Sequence, residues 1–410
     1  MNAKFILVAI TIFAACTESD AQPGHGRNGE RGNPSSKSPA GAEYVISDES
    51  VKELKDEALT TTVPDYNVIQ VTNGKLTLSD CNITKKGDYS SNYTGDATSF
   101  YGTNSAVYAS GKESVINIKD CIVTTVSKGS NAVFATNGAR IDINGITIDN
   151  SASVSRGLHC TGGGIINASN VNITTRSETS SAIATDRGGG TVNVTGGSVT
   201  ARGSKSAVIY STGEITVTDI TGLSEKGPIA TIEGSNRVTV NNCRMTSRSD
   251  TRGILLHQST SGDADGSNPV CSVTNSTLSV TSTGAPLCFV TNVSGTLTLT
   301  DVTLNVASGK LMSVEYYKRG NGSTGNLLLN TTKESWTYNG DVCADDVNNV
   351  SVTIGNNVIW NGAANTGNTA KTATVTVEKN AVWNLTADTY LTGLNNNGTI
   401  NEGDFKIHIR

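Results

Sequence analysis

Between residue 68 and the C-terminus, Val, Ile, Leu and Thr fall at alternate positions over short runs, the period of extended strands rather than helices. The runs recur. One signature has two apolar residues flanking a variable one, then an Asp, Asn or Gly two places on, then a second short apolar segment. It reads LTLSDCNI at 76, INIKDCIV at 116, IDINGITI at 141, INASNVNI at 166, VNVTGGSV at 192, ITVTDITG at 215, VTVNNCRM at 238, CSVTNSTL at 271 and LTLTDVTL at 297. Successive starts differ by 40, 25, 25, 26, 23, 23, 33 and 26 residues. A second series advances with it: AVYAS at 106, AVFAT at 132, GLHCT at 157, AIATD at 182, AVIYS at 207, PIATI at 228, GILLH at 253 and PLCFV at 286.

A unit of about 25 residues with several short strands and tight bends cannot bury its apolar face alone; it buries it against the units above and below. The pattern therefore predicts an all-β fold, a right-handed single-stranded parallel β-helix solenoid of roughly a dozen coils, near 60 Å long at about 4.8 Å per coil. The column Asp80, Asp120, Gly145, Asn170, Gly196, Asp219, Asn242, Asn275 and Asp301 falls where the chain bends, and these residue types tolerate left-handed backbone there. Leucine-rich solenoids are excluded because no LxxLxLxxN pattern occurs, and helical repeats fail on period. At the start, SDESVKELKDEAL over 47–59 reads as a short amphipathic helix capping the first coil, with a strand as the competing reading. At the end, Trp383, Tyr390 and Phe405 have the bulk to close the last coil.

The N-terminus departs from this pattern. Lys4, an apolar stretch from Phe5 to Phe13 and small residues after it have the layout of a secretory signal over residues 1–15. FAAC at 13–16 resembles a bacterial lipobox, which makes Cys16 the lipidated residue; ordinary secretion with cleavage at Ala15 or after Ala21 is the alternative. Residues 16–43 mix Gly, Pro, Ser and charge without apolar periodicity and read as a flexible tether that carries His25. Residues 44–410 are then the β-helix with its terminal caps.

Composition narrows the partners. The net charge is -5, with no long basic run, so nucleic acid is not an expected partner. Past the first fifteen residues no apolar run approaches the length of a transmembrane helix, which leaves membrane contact to the lipid anchor alone.

Eight cysteines include Cys16, and the remaining seven cannot all pair. Cys81 and Cys121 share a column of adjacent coils and are either bridged or an unpaired stack of small buried side chains. No CxxC occurs, so zinc is not indicated. If Val107, Val133, Leu158, Ile183, Val208, Ile229 and Ile254 point inward, then Tyr108, Phe134, His159 and Ala184 line up outside, next to Ser110, Thr136, Thr161 and Asp186. Tyr108, Phe134, His159, Asp186 and Arg187 are thus candidates for stacking on and hydrogen-bonding a sugar. The insertion over 85–105, with Tyr89, Tyr93, Phe100 and Tyr101, is equally able to cover that ridge. As catalytic groups, should the protein be an enzyme, the candidates are Asp186, Arg187, Glu233 and His257, with Arg156 nearby. No facing carboxylate pair of the kind acid–base hydrolysis needs is evident. Asp263 and Asp265 in STSGDADGSNP form a fragment of a calcium loop without its closing Glu; calcium is the one cofactor suggested, and a solvated loop is the simpler reading.

On the coil signature, FYGTNSAVYASG at 100, ATDRGGG at 184 and WNLTADTYLTGL at 383, the chain resembles bacterial surface β-helix proteins of the adhesin-like or carbohydrate-binding kind, within the wider pectate-lyase-like superfold. That resemblance spans about residues 44–410. It implies an exported lipoprotein of the outer membrane or cell surface that binds a glycan, or a host or neighbour surface, without catalysis. A polysaccharide lyase or glycoside hydrolase on the same fold and a purely structural stalk are the alternatives, because one superfold hosts all three.

Overall fold

The computed structural model describes residues 38–90, 97–316 and 322–410. The signal segment, Cys16, His25 and Tyr93 lie outside these residues. The chain winds as an all-parallel β-solenoid of about 13 turns, and Ala97–Tyr101 is the one helix among the described residues. Sheet A stacks twelve short strands, from Gly41–Ile46 through Tyr66–Val71 and Val107–Ser110 to Asp341–Ala344. The first of these begins three residues before position 44. Sheet B is built from longer strands such as Ser114–Thr125, Arg140–Asn150 and Gly164–Thr175, each paired in parallel with the next coil. The last coils add a sheet of Trp336–Asn339, Val358–Asn361, Val382–Asn384 and Thr399–Asn401, and a pair of Thr389–Leu391 with Ile407–Ile409.

Alternation puts one set of side chains on the axis. Leu76, Ile116, Ile141, Ile166, Val192, Ile215 and Val238 occupy one column of consecutive coils, and each is at most 1% exposed. Each such side chain contributes about 1.5–3 kcal/mol by leaving water. Midway through sheet B the strand turns outward at a single left-handed residue. All nine members of the Asp/Asn/Gly column have positive φ, from 48° at Asn275 to 85° at Gly145. A residue with a branched Cβ there would meet the following carbonyl, at a cost of about 1–2 kcal/mol.

The helix expected over 47–59 is not formed. The segment makes strands Val51–Lys55 and Ala58–Thr61, paired with Gly74–Ser79 and Asn82–Lys85. Asp56, at φ 55°, stands one coil before Asp80. LKDEAL is therefore a degenerate copy of the coil signature, hidden because Lys52 sits opposite Leu76. The unpaired backbone groups of the next coil outweigh a weak amphipathic pattern. A second correction concerns register. Ile183 pairs with Ile209, and Ile209 with Ala230, so Ile209 and Ala230 continue the Val107 column, while Val208 and Ile229, one residue earlier, are buried in the core beside it. The coil there is one residue longer, which moves Tyr210 onto the outward column of Tyr108, Phe134 and His159.

Trp383 packs inside, stacked 5.1 Å from Trp360; Tyr390 stacks on His408, and Phe405 is exposed. Cys81 and Cys121 are unbridged and buried, the Cys81 N–H approaching Cys121 Sγ at 3.4 Å.

Substituting Ile166→Ala is expected to cost about 2–5 kcal/mol, read as a lower midpoint in denaturant unfolding. Asp120→Val should cost about 1–2 kcal/mol in the same assay, while Asp120→Gly should leave the midpoint nearly unmoved.

Candidate functional site

The outward face of sheet A holds most of the residues singled out in the sequence, and two insertions cover it. Helix Ala97–Tyr101 lies over the ridge, with Phe100 and Tyr101 themselves buried. Gly102, at φ 66°, lets the chain pass where a Cβ would strike the Phe134 ring. Tyr108, Phe134 and His159 are consequently buried, Tyr108 stacked on Phe134 at 5.7 Å and Phe134 edge-on to His159 at 5.3 Å. These three rings pack against the insertion and do not form an open platform.

Beneath the helix lies a polar box. His159 Nδ1 is 3.1 Å from Asn131 Oδ1, which also accepts from Ser99 Oγ and the Arg156 amide, while Asn131 Nδ2 donates to the Ser99 carbonyl. Oδ1 is thereby fixed as an acceptor, so Nδ1 carries the imidazole proton and Nε2 is bare. Nε2 faces Asp186 Oδ2 at 4.0 Å, and Arg156 Nη2 approaches the same oxygen at 3.6 Å. None of these three atoms has a hydrogen-bond partner among the described residues. Burial, then the Asp263 charge, raises the Asp186 pKa well above 3.8, and burial, then Arg156, holds His159 well below 6.5. The box is a carboxyl that resists ionisation beside a neutral imidazole.

Arg187 joins the two insertions. Its Nε donates to Asp263 Oδ1 at 2.7 Å while its guanidinium lies 4.3 Å from the centre of the Phe100 ring. Asp263 is 7% exposed, so the loop over 259–269 is not simply solvated, while Asp265 is exposed. Among the described residues no group of three His, Cys, Asp or Glu side chains is placed to hold a metal ion.

Next to this clasp, Glu233 and His257 pair across adjacent coils of sheet A. Glu233 Oε2 accepts from Tyr210 Oη at 2.9 Å, and Oε1 accepts from the amide and the hydroxyl of Ser259. His257 Nε2 stands 3.8 Å from Oε2. With Asp263 they line a cavity of about 30 Å³. All four catalytic candidates, Asp186, Arg187, Glu233 and His257, thus gather on one flank. The sequence reading missed Tyr210, through the one-residue slip, and named Asp263 without its contact to Arg187, because nothing in a loop's sequence announces which sheet residue it will reach. Glu233 and Asp263 both line this cavity, Asp263 with one oxygen held by Arg187.

Sheet B carries a second feature. Its outward face forms an open groove of about 500 Å³ lined by Asn117, Asp142, Asn144, Asn167, Asn193 and Thr195 among others. Asn193 Nδ2 donates to Asn167 Oδ1 at 3.0 Å and Asn167 Nδ2 to Asp142 Oδ1 at 2.9 Å, so the amides hold one another in fixed orientations. Set against known proteins, the chain matches no family model, no curated sequence and no solved structure.

The buried groups predict how stability depends on pH. His159 and His257, both depressed by burial, bind protons less readily folded than unfolded, so the stability they allow at neutral pH is lost as pH falls below about 6.5. Asp186 has the opposite sign. The folded chain keeps its proton where the unfolded chain has released it, so its contribution falls as pH rises above 3.8. Between about pH 7 and about pH 5 the denaturation midpoint should therefore drop more steeply in Asp186→Asn than in the unaltered protein, and less steeply in His159→Gln.

Proposed function

We propose that the protein is an exported, lipid-anchored surface rod that binds an extended glycan along sheet B without cleaving it. The observation that carries this reading is a column of hydrogen-bonding side chains, one per coil. It runs from Thr77 through Asn117, Asp142, Asn167 and Asn193 to Thr298, and is first broken at Leu328. Neighbouring coils of a sheet are about 4.8 Å apart, so the column repeats a donor and acceptor at a spacing close to the length of one sugar unit. A polymer lying along the axis meets the same chemistry at each step, and mutual bonding of the amides lowers the cost of ordering them. Anchoring through Cys16 would leave the residues up to the first strand as the spacer between membrane and rod.

A second reading is carbohydrate cleavage at the sheet A flank, favoured by the assembly of Asp186, Arg187, Glu233, His257 and Asp263. A screen of polysaccharides separates the two. Retention of an unaltered polymer supports binding; new reducing ends or unsaturated products support cleavage, and retention of none leaves a structural stalk. For the binding reading, the double variant Asn167→Ala, Asn193→Ala should weaken affinity at least about tenfold, or about 1.4 kcal/mol. Cys16→Ser should abolish fatty-acid labelling and release the protein from the membrane fraction; unchanged labelling would place the anchor elsewhere.

A further inference from the structure

The cavity beside Glu233 is lined by a carboxylate and an imidazole whose hydrogen-bonding capacity the described residues do not exhaust. A carboxylate offers about four acceptor sites. Three on Glu233 are taken, by Tyr210 Oη and by the amide and hydroxyl of Ser259. The remaining one, on Oε2, looks toward His257 Nε2 across 3.8 Å. That gap exceeds a direct hydrogen bond and suits one bridging oxygen. His257 is 6% exposed and lines the cavity, and its buried Nε2 has no hydrogen-bond partner among the described residues. A buried nitrogen of this kind opposes folding unless a hydrogen-bonding group meets it.

We infer that this cavity is a binding site for a hydroxyl group of a single neutral sugar unit, the hydroxyl donating to Glu233 Oε2 and accepting from His257 Nε2. The proton sits on Nε2 because the nearest group it faces is an acceptor. About 30 Å³ admits a hydroxyl or hydroxymethyl arm but not a whole ring. Pro228, Leu255, Ser181 and Thr231 line the cavity as buried side chains and Ser261 adds a half-buried hydroxyl, so the ring itself stays outside. Asp263 is held by Arg187, leaving Glu233 as the acceptor for the arm. The site lies on sheet A, and its existence does not depend on the sheet B groove.

The test uses the full chain with labelled histidine, titrated with methyl glucopyranoside, methyl galactopyranoside and methyl mannopyranoside and followed by the imidazole resonances of His257. Saturable movement with at least one glycoside is expected. Glu233→Gln should weaken it about tenfold to a hundredfold. The Asn167→Ala, Asn193→Ala variant should leave it unchanged, which separates this site from the groove. His257 resonances that no glycoside moves, or an affinity unaltered in Glu233→Gln, would overturn the inference and leave the cavity to water. Thermal midpoints of each variant, measured alongside, show whether a lost signal reflects a lost site or a lost fold; if Glu233→Gln does not fold, the titration of the unaltered chain decides alone.

Discussion

The parallel stacking of coils is the constraint on which everything else rests. Each coil leaves a row of backbone N–H and C=O groups and an apolar edge that it cannot satisfy itself, and both find their partners in the next coil. The Leu76 column and the hydrogen-bonded registers of the two sheets are the same fact seen from the axis and from the backbone. Because the coils repeat in register, whatever faces outward at one coil also faces outward at the next. Columns of chemistry, not isolated residues, are what such a chain presents.

The two sheets use this differently. On sheet B the column stays open, and Asp142, Asn167 and Asn193 form a ladder whose amides already orient one another. On sheet A, insertions at two coils fold back over the column and exclude water from groups that would otherwise be solvated. Burying Arg156, His159, Asp186 and Glu233 together opposes folding unless each finds a partner. Most do, through Asn131, Ser99, Tyr210 and Ser259. His159 Nε2, Asp186 Oδ2 and Arg156 Nη2 have no hydrogen-bond partner among the described residues.

Arg187 shows how the two insertions depend on each other. Phe100 comes from one and Asp263 from the other, and a single guanidinium touches both. Loss of the Asp263 contact would change the balance of charge around Asp186, since Asp263 is among the groups that oppose its ionisation. The flank is therefore a coupled unit rather than a set of independent side chains.

The sequence alone determined the fold class, the direction of the strands and the bends. A two-residue period inside a 25-residue period has few physical solutions, and the nine Asp, Asn and Gly positions that take left-handed backbone were legible because only those residue types sit there cheaply. It also named Asp186, Arg187, Glu233 and His257, because coil alignment places them on one face. Tertiary structure alone decided that the Tyr108, Phe134 and His159 ridge is covered, that Tyr210 belongs to it, and that Asp263 turns inward to Arg187. A period fixes where a repeating backbone goes. It carries no information about a one-residue lengthening of a coil, or about where an insertion without a repeat folds back, because those depend on contacts between residues far apart in the chain.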